Sequence, residues 1–244
     1  MKNKLKISII TVTKNSEKFL QETIDSLSKQ TYQNFEHIIV DGASTDRTLD
    51  IIKKNSHQIK RWISEPDEGL YYAINKGIKF CSGDIIGILN SDDIYFPEAL
   101  LTVNKYFINN QIDFLFGSVF KHKLMHGYYP KKIKWTFGFY TTHSIGFFIK
   151  KSSQDKVGLY NTKYKWSVDY DIFYRMIVKY KMKGMATEKS EVFGIFRPGG
   201  ISSKIKYIDF LKENNQIRID NGQNKIFVFG IFVLRILRNF KRLF

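Results

Sequence analysis

The sequence lacks most of the features that would fix its class at once. Cys81 is the only cysteine among 244 residues, which excludes an intrachain disulfide and argues against a cysteine-based zinc site. No uninterrupted apolar run reaches the ~18 residues of a membrane-spanning helix; the nearest approach, residues 226–234, ends at Arg235. Acidic residues are scarce, because 23 Asp and Glu face 39 Lys and Arg, for a net charge of +16. This excess predicts an anionic partner: nucleic acid, an anionic membrane or a phosphorylated substrate.

The first residues also lack the pattern of an export signal. The apolar residues 7–12 form a short segment that includes Ser8 and Thr11, and polar residues 14–17 follow in place of a small-residue cleavage site. Together with the single cysteine, this predicts a protein of the reducing cytosol.

Short β-branched segments alternate with segments of helical periodicity in the first half of the chain. Strands are predicted at residues 7–12, 36–40, 59–64, 84–89 and 113–120, and helices at residues 19–27, 45–52, 69–80 and from Pro97 onward. Later in the chain we predict strands at residues 143–150 and 192–196 and a helix at residues 169–181. This order is typical of an α/β fold with a mainly parallel sheet covered by helices.

Carboxylates follow three of the predicted strands. Asp41 follows the second strand, Asp67 the third, and Asp92 and Asp93 the fourth. In open α/β sheets the ligand binds at the carboxyl ends of the strands, so we expect these side chains at one rim. An adjacent carboxylate pair suits Mg²⁺ or Mn²⁺, with substrate phosphates as further ligands; a helix cap before Pro97 is the alternative. Neither G-x-G-x-x-G nor G-x-x-x-x-G-K-[ST] occurs, which argues against a standard dinucleotide-binding unit and a P-loop.

Four segments, in order, resemble the motifs of family 2 glycosyltransferases. They are residues 11–15 (TVTKN), 40–48 (VDGASTDRT), 67–77 (DEGLYYAINKG) and 83–93 (GDIIGILNSDD). Two later segments, residues 143–150 (HSIGFFIK) and 168–175 (VDYDIFYR), fit the same family. The resemblance implies a GT-A fold, with a Rossmann-like sheet flanked by helices. It also implies inverting transfer of a sugar from a nucleotide-diphosphate sugar to a glycan or lipid-linked acceptor, in cell-surface polysaccharide biosynthesis.

The resemblance assigns roles to individual residues as well. Thr11, Thr13 and Asn15 are expected to line the nucleotide pocket, Asp41 to contact the base, Asp67 to lie beside the base or ribose, Asn90 and Asp92 to bind the donor, and Asp93 to face Mg²⁺ or Mn²⁺. Asp169 occupies the position of the catalytic base. Val168 stands where the family often has Glu, so Asp171 stays open as an alternative base. No Gln-x-x-Arg-Trp sequence, the motif of processive members, follows Asp169; the one match in the chain, residues 58–62 (QIKRW), lies between the second and third family-like segments. We therefore predict one transfer per acceptor.

Sugar transfer needs a base for the acceptor hydroxyl and positive charge for the leaving diphosphate. Candidates for the positive charge are Lys14, Arg197 and Lys204, each of which could equally be a solvated surface charge. His143 either contacts the diphosphate or metal or is structural. Residues 198–203 form either a closing loop or an ordinary turn. Four aromatic residues bind the acceptor or belong to the core: Trp135, Phe137, Phe139 and Tyr140.

The last segment of the chain is apolar with basic flanks. No acidic residue occurs in residues 225–244, where Lys225, Arg235, Arg238, Lys241 and Arg242 flank the apolar residues 226–237. This pattern predicts an amphipathic helix at an anionic membrane surface; docking on the protein or on a second copy is the alternative. We therefore divide the chain into a nucleotide-sugar half (residues 1–121), an acceptor half of the same domain (122–224) and a basic helix (225–244), and expect a peripheral enzyme on the inner face of the cell membrane.

Two rival functions fit parts of the sequence. A nucleotidyltransferase should show a Gly-rich basic signature near the N-terminus, which residues 11–15 lack. A nucleic-acid-binding module fits the net charge, but a rim of carboxylates would repel phosphates unless a metal intervened. We therefore expect no nucleic-acid partner.

Overall fold

A computed structural model describes residues 4–135, 139–140, 143–197 and 206–239. Its strands are β1 (Ile7–Thr13), β2 (Phe35–Asp41), β3 (Arg61–Ser64), β4 (Ile85–Ile88), β5 (Ile94–Tyr95), β6 (Phe114–Phe116), β7 (Ser118–Phe120), β8 (Leu124–Met125), β9 (Phe147–Lys150), β10 (Gly184–Ala186) and β11 (Val192–Ile195). Its α-helices are α1 (Leu20–Ser28), α2 (Thr48–Lys54), α3 (Leu70–Phe80), α4 (Ala99–Asn109), α5 (Lys151–Val157), α6 (Val168–Tyr174), α7 (Tyr207–Asp220) and α8 (Lys225–Arg238). A π-helical turn, Arg175–Lys179, continues α6.

A seven-stranded sheet in the order β10-β6-β9-β4-β1-β2-β3 forms the centre of the fold. All its neighbouring strands run parallel except β9, which is antiparallel to both β4 and β6. A second sheet has the order β5-β11-β7-β8. The predicted mainly parallel sheet with flanking helices is therefore confirmed. Strand β9, from the predicted acceptor half, pairs with β4 and β6 of the predicted nucleotide-sugar half, so residues on both sides of position 121 belong to one sheet.

The central strand β1 is buried along its whole length. Ile7 and Ile9 pack in a cluster with residues of α4, while Ile10 and Val12 pack in another cluster with residues of α3 and α6. Side chains alternate between the two faces because successive residues of a strand point to opposite sides. A parallel strand that is covered on both faces therefore has a continuous apolar sequence.

The structure differs from the predicted elements where contacts between residues far apart in the sequence decide which sheet or which helix face a residue joins. The predicted strand 113–120 is broken at Gly117, so β6 joins the large sheet and β7 the small one. A Cβ atom at Gly117 would lie 2.2 Å from the ring of Phe193, so only glycine lets that ring pack there. Helix α7 escaped prediction because its buried positions include Asn214 and Arg218, which interrupt the apolar period.

At the amino end of the sheet, Glu36 holds three segments together. Its Oε1 accepts hydrogen bonds from Ser8 Oγ (2.6 Å) and Ser82 N (2.7 Å), and its Oε2 accepts from Ser82 Oγ (2.8 Å) and pairs with Lys6 Nζ (2.6 Å). Burial alone would raise the pKa of Glu36, but the hydrogen bonds from Lys6, Ser8 and Ser82 outweigh it and lower the pKa to about 2. The carboxylate form therefore stabilises the fold.

We expect Glu36→Gln to lower the free energy of unfolding at pH 7 by about 2 kcal/mol, because it weakens hydrogen bonds to a charged, buried group. The folded-state pKa lies below the ordinary value of 4.5, so this difference from wild type is full above that pH and is lost as the pH falls through about 2. Urea unfolding over a pH series measures it. The control is Asp155→Asn, which breaks an exposed i,i+4 pair with Lys151 and should cost less than ~1 kcal/mol. Equal losses in both variants would contradict the assignment.

Candidate active site

The acidic turn after β4 is fixed from helix α1. Asp93 N donates to Asn90 O (3.1 Å), which closes the turn. Thr23 Oγ1 lies 3.0 Å from Ser91 O and 2.9 Å from Asp93 O. The hydroxyl groups of Ser16 and Ser91 are 2.8 Å apart. These contacts hold the backbone of the turn in one position relative to β1 and α1.

The two carboxylates of this turn differ in accessibility. Asp93 has no exposed surface; its Oδ1 accepts from Arg197 N (3.0 Å) and its Oδ2 from Ser144 Oγ (3.4 Å). Burial and then the neighbouring Asp92 raise the pKa of Asp93 to about 7. Asp92 and Asn90 are partly exposed, and burial raises the pKa of Asp92 as well. Asp92 therefore presents the accessible carboxylate, while the assignment of the metal to Asp93 stays a prediction.

Asp41, at the end of β2, is turned into the protein. It has no exposed surface, and its carboxylate accepts hydrogen bonds from Ser44 N (2.9 Å), Ser44 Oγ (2.5 Å) and Ser64 Oγ (2.7 Å). Asp41 thus shapes the loop between β2 and α2. The predicted contact between Asp41 and the base stays a prediction, and it would need one of these bonds to be shared.

Asp67 lies against the backbone that follows Asp41. A Cβ atom at Gly42 would lie 2.7 Å from Asp67 Oδ2 and 3.3 Å from Lys14 Cδ, so Gly42 leaves space for both side chains. Asp67 Oδ1 accepts from Gly69 N (2.9 Å), and the side chain is partly exposed. Asp67 therefore offers a partly exposed carboxylate close to the exposed Lys14.

The three polar residues predicted from β1 have different environments. Thr11 Oγ1 lies 2.9 Å from His37 Nε2 inside the sheet, where burial lowers the pKa of His37 to about 3. Thr13, at the carboxyl end of β1, has a buried Oγ1 for which the described residues provide no hydrogen-bond partner. Asn15 has a positive φ of 51° and accepts from Thr45 N (2.9 Å), which links two loops of the rim. Of the three, Thr13 has the side-chain oxygen that is buried without a hydrogen-bond partner among the described residues.

Asp169, in the first turn of α6, is held by a tyrosine. Its Oδ2 accepts from Tyr140 OH (2.6 Å) and its Oδ1 from Tyr170 N (2.9 Å), and the residue stays partly exposed. Burial raises the pKa of Asp169 to about 6, although both hydrogen bonds oppose the rise. Such a carboxylate is ionised at neutral pH and is still a stronger base than an ordinary aspartate.

Asp171, the alternative base, has a structural environment. It is 2% exposed, its Oδ2 pairs with Arg175 Nε (2.9 Å), and its Oδ1 accepts from Asn221 Nδ2 (3.0 Å). Residues two apart on a helix point in different directions, so only one of the two aspartates faces the rim. The geometry favours Asp169.

His143 and Ser144 connect the surroundings of Asp169 to the acidic turn. His143 Nε2 lies 2.9 Å from Tyr160 OH, and burial lowers the pKa of His143 to about 3, so the ring is neutral. The ring of Tyr71 lies 5.5 Å from that of Tyr160 and 5.8 Å from that of His143. The next residue, Ser144, donates to Asp93. His143 is thus a positioned aromatic residue between two acidic centres.

The remaining candidates divide between core, surface and undescribed positions. The Arg197 guanidinium pairs with Glu22 and lies 4.5 Å from the ring centre of Phe19, so part of its charge is already compensated. Phe139 is a core residue. Phe137, Lys204 and residues 198–203 lie outside the described residues. Within the described ranges, no three or more His, Cys, Asp or Glu side chains group as a metal site.

The model of the family described as "Glycosyl transferase family 2" matches residues 8–176. The chain belongs to this family. The matched region contains every predicted site residue from Thr11 to Asp169. The predicted family is therefore confirmed.

Curated relatives are similar over different shares of the chain. The UDP-Glc:alpha-D-GlcNAc-diphosphoundecaprenol beta-1,3-glucosyltransferase WfgD of Escherichia coli is 33% identical over 113 residues, which cover 46% of this chain and 45% of the relative. A PGL/p-HBAD biosynthesis glycosyltransferase of Mycobacterium bovis is 27% identical over 224 residues, 84% of this chain and 82% of the relative. An uncharacterized glycosyltransferase of Methanocaldococcus jannaschii is 33% identical, and this chain covers 64% of its length. Several curated relatives are thus spanned over less than two thirds of their length.

Solved structures share the fold at low sequence identity. The Staphylococcus aureus TarS fragment 1–349 in complex with UDP-GlcNAc superimposes with a TM-score of 0.73 at 19% identity, covering 97% of this chain and 73% of that one. The mannosyltransferase PcManGT of Pyrobaculum calidifontis, in complex with GDP-Man and Mn²⁺, gives 0.69 at 15% identity, covering 94% and 68%. The predicted GT-A fold is therefore confirmed.

We expect Tyr140→Phe to raise the pKa of Asp169 above about 6, because the variant loses the hydrogen bond that stabilises the carboxylate. Carboxyl ¹³C NMR titration, with Asp169→Asn to assign the resonance, measures the shift. Tyr128→Phe is the control, since the rings of Tyr128 and Tyr140 both lie 5.4 Å from Phe116 and only Tyr140 donates to Asp169. An unchanged pKa in Tyr140→Phe would contradict the role of this hydrogen bond.

Proposed function

We propose that this protein transfers one sugar, with inversion, from a nucleotide-diphosphate sugar to a glycan or lipid-linked acceptor in the synthesis of cell-surface polysaccharide. The observation that carries the proposal is Asp169, a partly exposed carboxylate with a pKa raised to about 6 in a chain of family 2. Family membership favours this reaction over the nucleotidyltransferase and nucleic-acid-binding alternatives.

The reaction is a single displacement. The oxygen of the acceptor hydroxyl forms a bond to the anomeric carbon, while the bond from that carbon to the diphosphate oxygen breaks and its electron pair leaves with the diphosphate. Attack from the opposite face inverts the configuration. Asp169 accepts the proton of the hydroxyl, and Tyr140 orients the carboxylate for this task. Tyr71, His143 and Tyr160 exclude water from its surroundings.

The acidic turn fits a divalent cation by its chemistry. Asp92 and Asn90 offer oxygen ligands of the kind that Mg²⁺ and Mn²⁺ bind, with the donor diphosphate completing the coordination. When bound, the cation offsets the negative charge that develops on the leaving diphosphate. We propose that Asp92 holds it and that Asp93, which is bonded to Arg197 N and Ser144 Oγ, fixes the turn. The Mn²⁺ in the PcManGT complex supports a divalent cation for this fold.

The nucleotide is proposed to bind across the carboxyl ends of β1, β2 and β3. Thr13 Oγ1 offers a buried hydroxyl for a ligand, Asp67 an accessible carboxylate for base or ribose, and Lys14 a charge for the diphosphate. Asp41 and Asn15 support the loops that line this region. The complexes of TarS with UDP-GlcNAc and of PcManGT with GDP-Man support a nucleotide sugar but leave the base open.

The enzyme is proposed to work at the inner face of the cell membrane. Among the described residues, no helix combines the length and the apolar character needed to cross a bilayer. Helix α8 nevertheless exposes large apolar side chains and carries basic residues, which suits an anionic lipid surface. WfgD, as its name states, acts on a diphosphoundecaprenol-linked sugar, which supports a lipid-linked acceptor.

Asp169→Asn tests the proposed reaction. We expect at least a ~1000-fold loss of sugar transfer, because the acceptor hydroxyl loses its base, while UDP or GDP binding in the presence of Mn²⁺ changes little. In the wild type, transfer should fall as the pH drops below about 6, where Asp169 becomes protonated. Release of nucleoside diphosphate from a panel of donors, and titration calorimetry, provide the two readouts. An Asp169→Asn enzyme with wild-type turnover would overturn the assignment.

A pair of variants separates the roles of the two neighbouring carboxylates. We expect Asp92→Asn to weaken Mn²⁺ binding, measured by electron paramagnetic resonance with nucleoside diphosphate present, and to lower transfer by at least ~100-fold. Asp93→Asn should instead lower the melting temperature, since it disturbs two buried hydrogen bonds. If Asp93→Asn loses Mn²⁺ while Asp92→Asn retains it, the metal faces Asp93, as the sequence predicted.

A further inference from the structure

Helix α8 is docked on the protein by a narrow face only. Val228 and Ile231 are its buried residues, and Asn224 caps its first turn by accepting from Ile226 N (3.0 Å) and Phe227 N (3.1 Å). The opposite face is apolar and exposed: Ile226 is 82% exposed, and Phe229, Leu234 and Leu237 are 65–67% exposed. Their spacing of three, eight and eleven residues from Ile226 places them in one stripe. The helix is therefore fixed in orientation with an apolar stripe outward.

A second element lies beside this helix. Trp135 is 53% exposed, and its ring meets the ring of Phe227 edge-on at 4.5 Å. Arg235 Nη2 donates to Trp135 O (2.7 Å), and Gln223 Nε2 lies 3.4 Å from Lys134 O. The segment 130–135 is thus attached to α8 by side chains from both ends of that helix.

Exposed basic residues surround the apolar stripe and Trp135. The exposed members are Lys131, Lys132, Lys134, Lys225 and Arg238. Neither residues 130–135 nor residues 225–239 contain an acidic residue. The two segments therefore combine an apolar stripe, an indole at its edge and positive charge without an acidic residue of their own.

We propose that α8 and residues 130–135 form one docking face for an anionic phospholipid membrane. An indole ring suits the boundary between acyl chains and headgroups, because one end is apolar and the other donates a hydrogen bond. Each exposed lysine adds attraction to an anionic leaflet. A second copy of this chain is a poorer occupant, since an isologous contact would bring the same positive charges together.

The docking face is connected to the catalytic helix by short contacts. Ile133 O accepts from Tyr170 OH (2.6 Å), and Arg218 Nε lies 2.8 Å from the same hydroxyl. Tyr170 follows Asp169 in the chain, and its backbone N donates to Asp169 Oδ1 (2.9 Å). Membrane docking through residues 130–135 therefore sets the distance between the lipid surface and the base. The benefit for a lipid-linked acceptor rests on the proposed function, but the docking face itself does not.

A protein with Trp135 as its only tryptophan reports on this face directly. The double variant Trp62→Phe and Trp166→Phe removes the other two tryptophans. With vesicles of about 30% phosphatidylglycerol in phosphatidylcholine, we expect the emission of Trp135 to shift to the blue and to be quenched by brominated lipid. Pure phosphatidylcholine should give a much smaller change. If the emission maximum of Trp135 does not shift while the protein sediments with the anionic vesicles, Trp135 is not part of the docking face.

Matched variants test the contribution of charge and of the indole. Replacing Lys131, Lys132 and Lys134 by Gln should weaken vesicle partitioning at least about tenfold, whereas the same change at the exposed Lys53, Lys54 and Lys60 should leave it nearly unchanged. Trp135→Ser should weaken partitioning and Leu101→Ser, at an exposed position of α4, should not. Equal partitioning of test and control variants would overturn the proposal.

Two further measurements separate this proposal from its alternatives. If light scattering shows a dimer that Trp135→Ser converts to monomers, the face is an interface between copies and the membrane proposal is wrong. Transfer to a water-soluble acceptor should be unchanged in all these variants. If Asp169→Asn transfers sugar normally while vesicle binding behaves as expected, the proposed reaction fails and the docking face stands.

Discussion

Parallel pairing of β1 with β2 and β4 is the constraint from which the site follows. The register places Thr13 beside Asp41 and Asp41 beside Ser64, so three loops start at one level of the sheet. Backbone hydrogen bonds continue the pairing past the strands, from Gly42 N to Thr13 O (2.9 Å) and from Glu65 N to Asp41 O (3.0 Å). Because β1, β2 and β4 are buried on both faces, a one-residue slip would turn their side chains toward the opposite packed cluster and disrupt the packing of both clusters, so it is disfavoured. The rim is therefore a consequence of core packing.

The antiparallel strand β9 completes the rim from the other half of the chain. It lies between β4 and β6, so its amino end is beside their carboxyl ends. His143 and Ser144 precede β9 and therefore arrive at the acidic turn that follows β4, where Ser144 donates to Asp93. A parallel β9 would carry these residues to the opposite edge. One reversed strand thus joins the acidic turn to the surroundings of Asp169.

The elements of the first half could be predicted because their periodicity is local. Apolar runs such as residues 7–12 and helical spacing such as residues 69–80 report burial without knowledge of distant partners. The break at Gly117 could not be predicted, because it depends on Phe193, which lies 76 positions further along the chain. Helix α7 could not be predicted from apolar periodicity, because two of its buried positions are the polar residues Asn214 and Arg218.

In the site, too, the positions of residues along the chain could be predicted, whereas the orientations of their side chains could not. The sequence predicts carboxylates at strand ends. The orientation of these side chains depends on hydrogen bonds from Ser44, Ser64 and Ser144, and no periodic pattern in the sequence predicts those hydrogen bonds. In the sequence, Asp169 is the predicted base and Asp171, two residues on, stays open as an alternative. They differ because Asn221 and Arg175 hold one, while Tyr140 holds the other. Only tertiary contacts carry that information.

The net charge of +16 is compatible with any anionic partner. In the structure, the rim and the surface around α8 differ in their charged residues. At the rim, burial raises the pKa of Asp92 and of Asp93, so a divalent cation beside them would favour their ionised form and would balance the charge of a diphosphate. Around α8, Lys131, Lys132 and Lys134 are exposed without acidic neighbours in their segment. Because screening limits exposed charges to about 10 Å, these lysines act on a nearby surface more than on the rim. We therefore expect mutations to separate the proposed catalytic region from the proposed docking face, although Ile133 and Tyr170 keep the two regions in contact.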